Sequence, residues 1–269
     1  MQYDPMKQSL SRFFNRSVFL RRVFFQLLDL LLLRTWHIHK ELRRFMRHKQ
    51  AVRQVLDAGS GFGQYTYFLA RKQASWNIHA VDLKEDEIAA SKTFFDQAGI
   101  KNVDFEVQDL TGFVRPHTYD LILSVDVMEH IEEDEQVFQN FFRSLKKNGL
   151  LLISTPSDRG GSGVTREEDT SFIEEHVRDG YGAKEMDRKL KKAGFQRVET
   201  RYTYGKPGNF SWQLSMRIPL TLVGASKFFI ILLPFYYVLI MPFVLLLNLA
   251  DLHLHHKSGT GLLVKAWKE

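Results

Sequence analysis

The sequence predicts an α/β fold in which helices cover both faces of a mainly parallel sheet. Short apolar runs alternate with helical patterns such as residues 85–98 and 133–145. That alternation is typical of βαβ units, whose strands run parallel and whose helices pack on the sheet. A glycine-rich loop at residues 57–63 joins the first apolar strand to the helix that follows it. The chain is long enough for one sizeable core with appendages.

Residues 1–50 precede this pattern and form an arm that is both basic and apolar. They contain 11 Lys and Arg against 3 Asp and Glu, whereas the rest of the chain contains 26 against 28. Many Phe and Leu residues interleave with Arg12, Arg16, Arg21 and Arg22. This pattern predicts an amphipathic helix that lies in a membrane interface and contacts anionic lipids. The alternative is a helix packed on the protein's own surface.

Two other interpretations of the arm fit less well. A cleaved signal peptide is disfavoured because no small-residue cleavage site follows Leu33 and basic residues come directly after it. Nucleic-acid binding would fit the charge but not the many Phe and Leu side chains, so we expect no nucleic-acid partner. The chain contains no Cys, which excludes disulfides and thiolate metal sites.

The loop at residues 57–63 has the features of a nucleotide cradle. Its sequence is Asp57-Ala58-Gly59-Ser60-Gly61-Phe62-Gly63. Glycine lets the backbone turn sharply and approach a ligand, and the first N–H groups of the next helix face that ligand. Asp82 ends the second strand, where a carboxylate can accept hydrogen bonds from both hydroxyls of a ribose. The loop alone leaves a dinucleotide such as NAD open, although no second, substrate-bearing domain accompanies it.

Three further blocks follow: a predicted strand at residues 103–110, a strand with the start of its helix at 119–131, and a turn into a strand at 145–156. The carboxyl ends of parallel strands meet at one edge of a sheet, so polar residues at those ends can converge on one pocket. The acidic residues at or just after strand ends are Asp57, Asp82, Asp109 and Asp126.

In order and spacing, these blocks resemble the class I S-adenosylmethionine-dependent methyltransferases. The resemblance covers about residues 51–205 and again 260–267, and it implies a Rossmann-like sheet of seven strands that binds S-adenosyl-L-methionine. It also implies that Asp109 lies near the adenine amine. The expected cofactor-binding residues are Asp57, Gly59, Ser60, Gly61, Gly63, Asp82, Leu83, Asp109, Leu110 and Ser124.

Three candidate catalytic residues follow the fourth strand. Asp126, Glu129 and His130 have the spacing i, i+3, i+4, which predicts one helical face. His130 could be a general base oriented by a carboxylate. Similarity to the O-methyltransferases of ubiquinone biosynthesis, which carry Glu-x-x-Glu-His here, suggests instead a divalent metal on all three residues. A third interpretation is a capping box, with Asp126 as N-cap and Glu129 at N3.

The segment between the fifth strand and a helix predicted at 183–193 lies over the expected pocket mouth. We expect it to close on the substrate like a lid. His176 in this segment is the second candidate base. The alternative is a histidine that is hydrogen-bonded within the lid.

An apolar insert lies between the last two predicted strands, residues 194–202 and 259–267. Residues 218–250 contain one charged residue, Lys227, and are long enough for a membrane helix. Both flanking strands belong to one sheet, so the insert must return to the side from which it left. Two crossings need about 40 apolar residues, more than the 33 present.

Pro234 and Pro242 also predict breaks in any continuous helix. The insert is therefore expected to be a re-entrant hairpin or a pair of interfacial helices in a monotopic protein. A buried helical cover or a dimer interface is the alternative.

These expectations divide the chain into four segments. They are a membrane-interface arm (1–50), a methyltransferase core (51–205), an apolar monotopic insert (206–258) and the last strand of the core (259–269). The expected activity is methyl transfer at the cytoplasmic face of a membrane to a lipophilic small molecule or lipid. Hydroxyl oxygen is favoured over carbon or nitrogen as the acceptor atom. A membrane-bound scaffold without catalysis is the alternative, and the intact glycine loop argues against it.

Overall fold

A computed structural model of the chain describes residues 17–47, 53–159, 177–226 and 228–269. Its centre is one seven-stranded sheet with the strand order β3-β2-β1-β4-β5-β7-β6, in which β7 runs antiparallel to both neighbours. The predicted α/β fold is confirmed. The strands are β1 (Gln54–Ala58), β2 (Asn77–Asp82), β3 (Val103–Val107), β4 (Tyr119–Val125), β5 (Leu145–Pro156), β6 (Arg197–Thr203) and β7 (Gly261–Lys268).

Helices cover both faces of this sheet. The helices are α1 (Val18–Leu31), α2 (Leu33–Arg47), α3 (Gln64–Lys72), α4 (Glu85–Gln97), α5 (Asp134–Ser144), α6 (Ala183–Ala193), α7 (Lys206–Trp212), α8 (Ile218–Ala225) and α9 (Phe229–His253). Alternate residues of the strands feed two buried apolar clusters. One cluster includes α5 and α6, and the other includes α1 to α4. Helices α4, α5 and α6 agree with the predictions at 85–98, 133–145 and 183–193.

Strand order creates a switch point beside β1. Chain connections run from β1 to β2 on one side, while β4 pairs with β1 on the other. Loops after β1 and β4 therefore diverge at the carboxyl edge of the sheet and leave a crevice between them. The functional site is expected at this edge.

The described part of the N-terminal arm packs on the core. Arg21 is 2% exposed, and its guanidinium donates hydrogen bonds to the carbonyls of Ala90 (2.9 Å) and Phe62 (2.7 Å). Phe25 lies edge-on against Phe94 in the same cluster. Arg21 therefore faces the protein, which corrects its assignment as a cation for lipid headgroups. Arg12 and Arg16 lie outside the described residues.

The insert forms a helical hairpin. Its outward arm comprises α7, a π-helical segment (Gln213–Arg217) and α8, and its return arm is α9. Tyrosine hydroxyls connect the arms, because Tyr236 donates to the carbonyl of Leu214 (2.7 Å) and Tyr237 to that of Ser215 (2.8 Å).

The return arm continues through both of its prolines. Pro234 and Pro242 lie inside the single helix α9, so the prediction that they break it is wrong. The expectation of a hairpin that returns to its starting edge agrees with the structure, since β6 ends and β7 begins at the same edge.

Asp251 ties the hairpin to the core at the end of α9. Its carboxylate is fully buried and accepts hydrogen bonds from the N–H groups of Gly205 (2.8 Å) and Gly208 (3.1 Å) at the start of the outward arm. It also lies 2.9 Å from Nε2 of His37 in α2. One side chain thus joins both ends of the hairpin to the N-terminal helices.

Much of the hairpin surface is apolar and exposed. Phe235, Val238 and Leu239 are 69%, 75% and 70% exposed. By length and composition alone, α9 could cross a membrane, and it is the one such helix in the described ranges. Apolar patches of this extent mark an interaction surface on a protein.

Candidate functional site

A cavity of about 1260 Å³ lies at the carboxyl edge of the sheet, in the crevice at the switch point. The glycine loop forms one wall, and the segments after β2 and β3 form a second. The segment after β4 and Arg34 of α2 close the remaining side. We refer to this space as the central cavity.

The glycine loop has a backbone conformation that only glycine adopts without strain at three positions. Gly59, Gly61 and Gly63 have φ angles of 78°, 50° and 76°. The N–H groups of Gly59 and Ser60 donate to the carbonyl of Val81 at 2.8 and 2.9 Å. A Cβ atom on Gly59 would overlap the side chain of Val127. Glycine at position 59 therefore lets the loop pack closely against Val127, and Gly59, Ser60 and Gly61 line the cavity.

Asp82 presents a fixed carboxylate to the central cavity. Its Oδ2 accepts from the N–H of Gly61 (2.8 Å), and its Oδ1 accepts from the N–H of Lys84 (3.0 Å). A carboxylate has about four lone-pair sites, so acceptor capacity remains for the two hydroxyls of a ribose. Leu83 beside it is exposed and offers an apolar surface for a base.

The other expected cofactor residues divide into two groups. Gly59, Ser60, Gly61, Asp109 and Leu110 line the cavity. Asp57, Gly63 and Ser124 are not among the lining residues, and their assignment as cofactor contacts stays a prediction. Gly63 is the N-cap of α3, and Ser124 is fully buried in β4.

Asp57 supports the glycine loop by connecting β1 to α3 through a hydrogen bond. It is 2% exposed and accepts a hydrogen bond from Oγ1 of Thr66 at 2.5 Å. Burial raises the pKa of the Asp57 carboxyl to about 6, and the nearby charge of Asp82 acts in the same direction.

Negative charge dominates the lining of the central cavity. Lys84 and Arg34 are the two Lys or Arg side chains among its described lining residues. The acidic lining residues are Asp82, Glu85, Asp86, Glu87, Asp109 and Asp126. A site of this composition favours a cationic ligand.

The three candidate catalytic residues after β4, Asp126, Glu129 and His130, lie in different environments. Asp126 has a φ angle of 51° and forms an ion pair with Arg34. Glu129 is 1% exposed and accepts from Oγ1 of Thr155 at 2.9 Å, whereas His130 is exposed and lines the cavity. The prediction of one shared helical face is wrong, because residues 128–130 form a single 3₁₀ turn.

The same geometry corrects two further interpretations. Val127, not Asp126, precedes the turn as its N-cap, so there is no capping box. Within the described ranges, no group of three His, Asp or Glu side chains is placed to hold a metal ion. The divalent metal on Asp126, Glu129 and His130 therefore has no ligand set here.

Glu129 connects its turn to neighbouring segments through hydrogen bonds. Besides the contact with Thr155, its carbonyl accepts from the N–H of Val177 at 3.1 Å. These bonds join the turn to β5 and to the segment after the fifth strand. Its carboxylate is buried and is not among the lining residues of the cavity, which favours a positioning role, and its assignment as a catalytic residue stays a prediction. His176 lies outside the described residues.

Arg34 and Tyr204 belong to the site although the sequence did not single them out. The N–H of Arg34 donates to Oη of Tyr204 at 2.7 Å. With Asp126, both residues line a smaller cavity of about 170 Å³ beside the central one. Arg34 was counted with the basic arm, and Tyr204 lies in no motif. The position of Tyr204 directly after β6, at the carboxyl edge, is the signal that could have identified it.

Comparison with known proteins gives the following sequence matches. A family model described as a methyltransferase domain matches residues 49–199. Phosphoethanolamine N-methyltransferase 1 of Zea mays is 32% identical over 147 residues, which are 54% of this chain and 28% of that protein. Malonyl-[acyl-carrier protein] O-methyltransferase of Bacillus anthracis is 33% identical over 102 residues, 38% of this chain and 37% of that protein.

A ubiquinone biosynthesis O-methyltransferase of Rickettsia felis is also similar, with 28% identity over 102 residues, 38% of this chain and 41% of that protein. The chain thus spans less than half the length of these curated relatives. One solved structure with the same fold is phosphoethanolamine N-methyltransferase 2 of Haemonchus contortus in complex with phosphomonomethylethanolamine and S-adenosylhomocysteine. Its TM-score is 0.59 at 20% identity, covering 86% of this chain and 52% of that one.

A second solved structure is a SAM-dependent methyltransferase from Aquifex aeolicus. It has a TM-score of 0.52 at 20% identity and covers 75% of this chain and 93% of that one. At these identities, the structures establish the shared fold.

Proposed function

The chain belongs to the class I S-adenosylmethionine-dependent methyltransferase family, and we propose that it transfers a methyl group to a lipophilic acceptor at a membrane surface. One observation carries the proposal: the central cavity and the root of the apolar hairpin meet at Arg34, Asp126 and Tyr204. The hairpin begins at Lys206, directly after Tyr204 and Gly205. An acceptor that arrives at the base of the hairpin would therefore lie next to the residues that line the cavity.

The residues of the central cavity fit S-adenosylmethionine, which supplies an electrophilic methyl group when bound. Asp82 would accept the ribose hydroxyls, and Leu83 and Leu110 would contact the adenine. The glycine loop and the uncapped N-terminus of α3 would receive the carboxylate. The acidic lining complements the positive charge of the sulfonium.

Transfer to a hydroxyl oxygen is the favoured reaction. The acceptor must lose a proton, and His130 is the described histidine that lines the cavity. Asp126 and Arg34 beside it can position a polar group of the acceptor through hydrogen bonds.

Methylation of a nitrogen is the second candidate. The acidic lining would attract an amine-bearing headgroup, and relatives from Zea mays and Haemonchus contortus carry the name phosphoethanolamine N-methyltransferase. The two candidates differ in the acceptor atom and share the cofactor site.

Membrane attachment through the hairpin supports the lipophilic acceptor. Its exposed apolar side chains would be buried among lipids, and each Å² removed from water stabilises the bound state by about 25 cal/mol. Both ends of the hairpin return to the sheet, which favours a monotopic protein. We propose that it lies on the cytoplasmic face.

The test is methyl transfer to lipid extracts. Full-length protein in vesicles made from lipids of cells that lack it should, with S-adenosylmethionine, add one CH2 to the mass of a lipid-soluble compound. His130→Ala should keep cofactor affinity and lose about 10²- to 10⁴-fold in rate. Fragmentation of the product identifies an O-methyl or N-methyl group. Methylation confined to water-soluble compounds would contradict the proposal.

A further inference from the structure

A second cavity of about 720 Å³ lies between α2, the end of α3 and the end of α9. We call it the basic cleft. None of its lining residues lines the central cavity. Its five Lys and Arg side chains are Lys40, Arg43, Arg44, Arg47 and Lys72.

Positive charge in the basic cleft is only partly neutralised. Asp29 is the one carboxylate among its described lining residues. Glu41 nearby pairs with Arg44 at 2.8 Å. Arg43, Arg47 and Lys72 form no ion pair with another residue in the described ranges. The cleft therefore presents at least three cationic groups to an anion.

A buried histidine adds a ring nitrogen that makes no hydrogen bond in the described residues. His39 lines the cleft, is 5% exposed and stacks on Phe68 with ring centroids 3.6 Å apart. Its Nε2 makes no hydrogen bond among the described residues and lies 3.9 Å from Oδ1 of Asp29. A buried polar atom without a partner is costly, and an oxygen-rich ligand would satisfy it. Burial lowers the pKa of His39 to about 3, so the ring is neutral near pH 7.

Exposed apolar side chains surround the basic cleft. Leu249 and Leu254 are 48% and 52% exposed at the end of α9, next to His253 in the lining. On the other side, Trp36 lines the cleft and donates from Nε1 to the carbonyl of Leu30, which is 42% exposed. Tryptophan with one apolar and one polar end is typical of the membrane–water interface.

We propose that the basic cleft binds the phosphate of an anionic glycerophospholipid. The cations and His39 would contact the phosphate oxygens, while the acyl chains would lie along the exposed side of α9. A free phosphate would satisfy the cations but would leave Leu249, Leu254 and Leu30 in water. This inference rests on the proposed membrane attachment and adds a specific headgroup site to it.

The test compares two triple variants with the same loss of charge. Arg43→Gln/Arg47→Gln/Lys72→Gln removes the cleft cations that have no ion pair in the described ranges. Lys147→Gln/Lys184→Gln/Arg188→Gln is the control; Lys184 and Arg188 lie on α6, over the opposite face of the sheet. Both should bind S-adenosylhomocysteine as the wild type does, which shows that they fold.

Vesicle flotation then measures binding to phosphatidylcholine alone and with phosphatidylglycerol. Each Lys or Arg near an anionic surface contributes about 1 kcal/mol, so the cleft variant should bind anionic vesicles roughly 100-fold more weakly. The control should lose much less, and binding to pure phosphatidylcholine should be unchanged in both.

Four results would overturn the inference. Equal losses of vesicle affinity in both triple variants would show that overall positive charge attracts the vesicles. Unchanged affinity of the cleft variant for anionic vesicles would show that the cleft is not the binding site. Tight binding of soluble glycerol phosphate, competing with anionic vesicles, would make free phosphate the ligand. If the wild type binds neither kind of vesicle, membrane attachment itself fails, while cofactor binding and methyl transfer in detergent still report on the enzyme separately.

Discussion

Asp82 and Gly61 are coupled by one hydrogen bond that fixes both the carboxylate and the loop. Asp82→Ala removes two acceptors for a ribose, each worth about 1.5–3 kcal/mol when the acceptor is charged. We therefore expect affinity for S-adenosylhomocysteine to fall by at least about 100-fold in titration calorimetry. Gly61→Val should also weaken binding, because a β-branched residue is strained at a φ of 50°.

Asp86→Ala is the matched control for these variants. It removes a carboxylate from the same cavity lining at an exposed position. Its effect should be small, since it acts only through screened charge. Unchanged affinity in folded Asp82→Ala and Gly61→Val proteins would refute the cofactor site.

Asp57 and Asp120 should give opposite pH dependences of stability. The pKa of Asp57 is raised to about 6 in the folded protein, so the unfolded chain loses its proton first as pH rises. Stability from this group is present at low pH and falls by about 3 kcal/mol between pH 4 and 6. Asp57→Asn, which keeps an acceptor for Thr66, should flatten that part of the profile in denaturant titrations.

Asp120 provides the control of opposite sign. Burial would raise the pKa of Asp120, but hydrogen bonds from the N–H of Gln54 and from Lys146 outweigh it and lower that pKa. Its contribution is therefore present at neutral pH and is lost as pH falls below its ordinary value. Asp120→Asn should lose stability at pH 7 and approach the wild type in acid. The same pH profile in both variants would contradict these assignments.

Sequence reasoning reached the residues whose role follows from local spacing. The positions of Asp82 and the glycine loop depend on where β2 ends and on the turn between β1 and α3. Both features are visible as short local motifs in the sequence. The contact of Arg34 with Asp126 and Tyr204 joins three distant parts of the chain. No local pattern encodes such a contact, and the basic composition of the arm pointed away from it.

At the scale of elements, α9 shows that tertiary contacts can outweigh the tendency of proline to break a helix. Each proline in α9 removes one backbone hydrogen bond, yet the helix continues through both. The hydrogen bonds from Tyr236 and Tyr237 to the outward arm hold α9 in place. The capping pattern predicted at Asp126 is absent: Asp126 has a φ angle of 51° and pairs with Arg34, and Val127 is the N-cap of the turn.

Two substitutions on α9 test whether the hairpin contacts lipid. Leu232 and Val238 are 43% and 75% exposed, so Leu232→Asp/Val238→Asp should leave the fold and cofactor affinity unchanged. Loss of two apolar side chains should weaken vesicle binding by about 100-fold, with little dependence on salt, because each is worth about 1.5 kcal/mol.

Val107→Asp is the control for that variant. Val107 is 43% exposed on β3, at the far edge of the sheet from the hairpin. This change should not alter vesicle binding. If the hairpin instead forms a dimer interface, the double variant would shift the sedimentation of the protein in solution and leave vesicle binding intact.

At the scale of the whole molecule, hydrogen bonds to Asp251 connect the N-terminal helices, the end of β6 and the hairpin. Asp251 joins the start of the outward arm to the end of α9, and His37 of α2 reaches the same carboxylate. The prediction of a same-side insert followed from strand pairing alone. The docking of α1 and α2 on the core could not be predicted, since an amphipathic helix shows the same pattern on a protein surface as on a membrane.

Cysteine accessibility tests this arrangement, because the chain contains no Cys and each introduced thiol is unique. In vesicles that bind the protein from one side, an impermeant maleimide added on that side should label Lys206→Cys and His255→Cys at the hairpin base. Both are exposed in the structure. Ser226→Cys at the tip should be protected by lipid and become reactive in detergent.

Thiols at positions 206 and 255 on opposite faces of the membrane would require a crossing helix. Such a helix would separate β6 from β7, which is incompatible with the seven residue pairs between these strands. Equal labelling of Ser226→Cys with and without vesicles would place the hairpin in water.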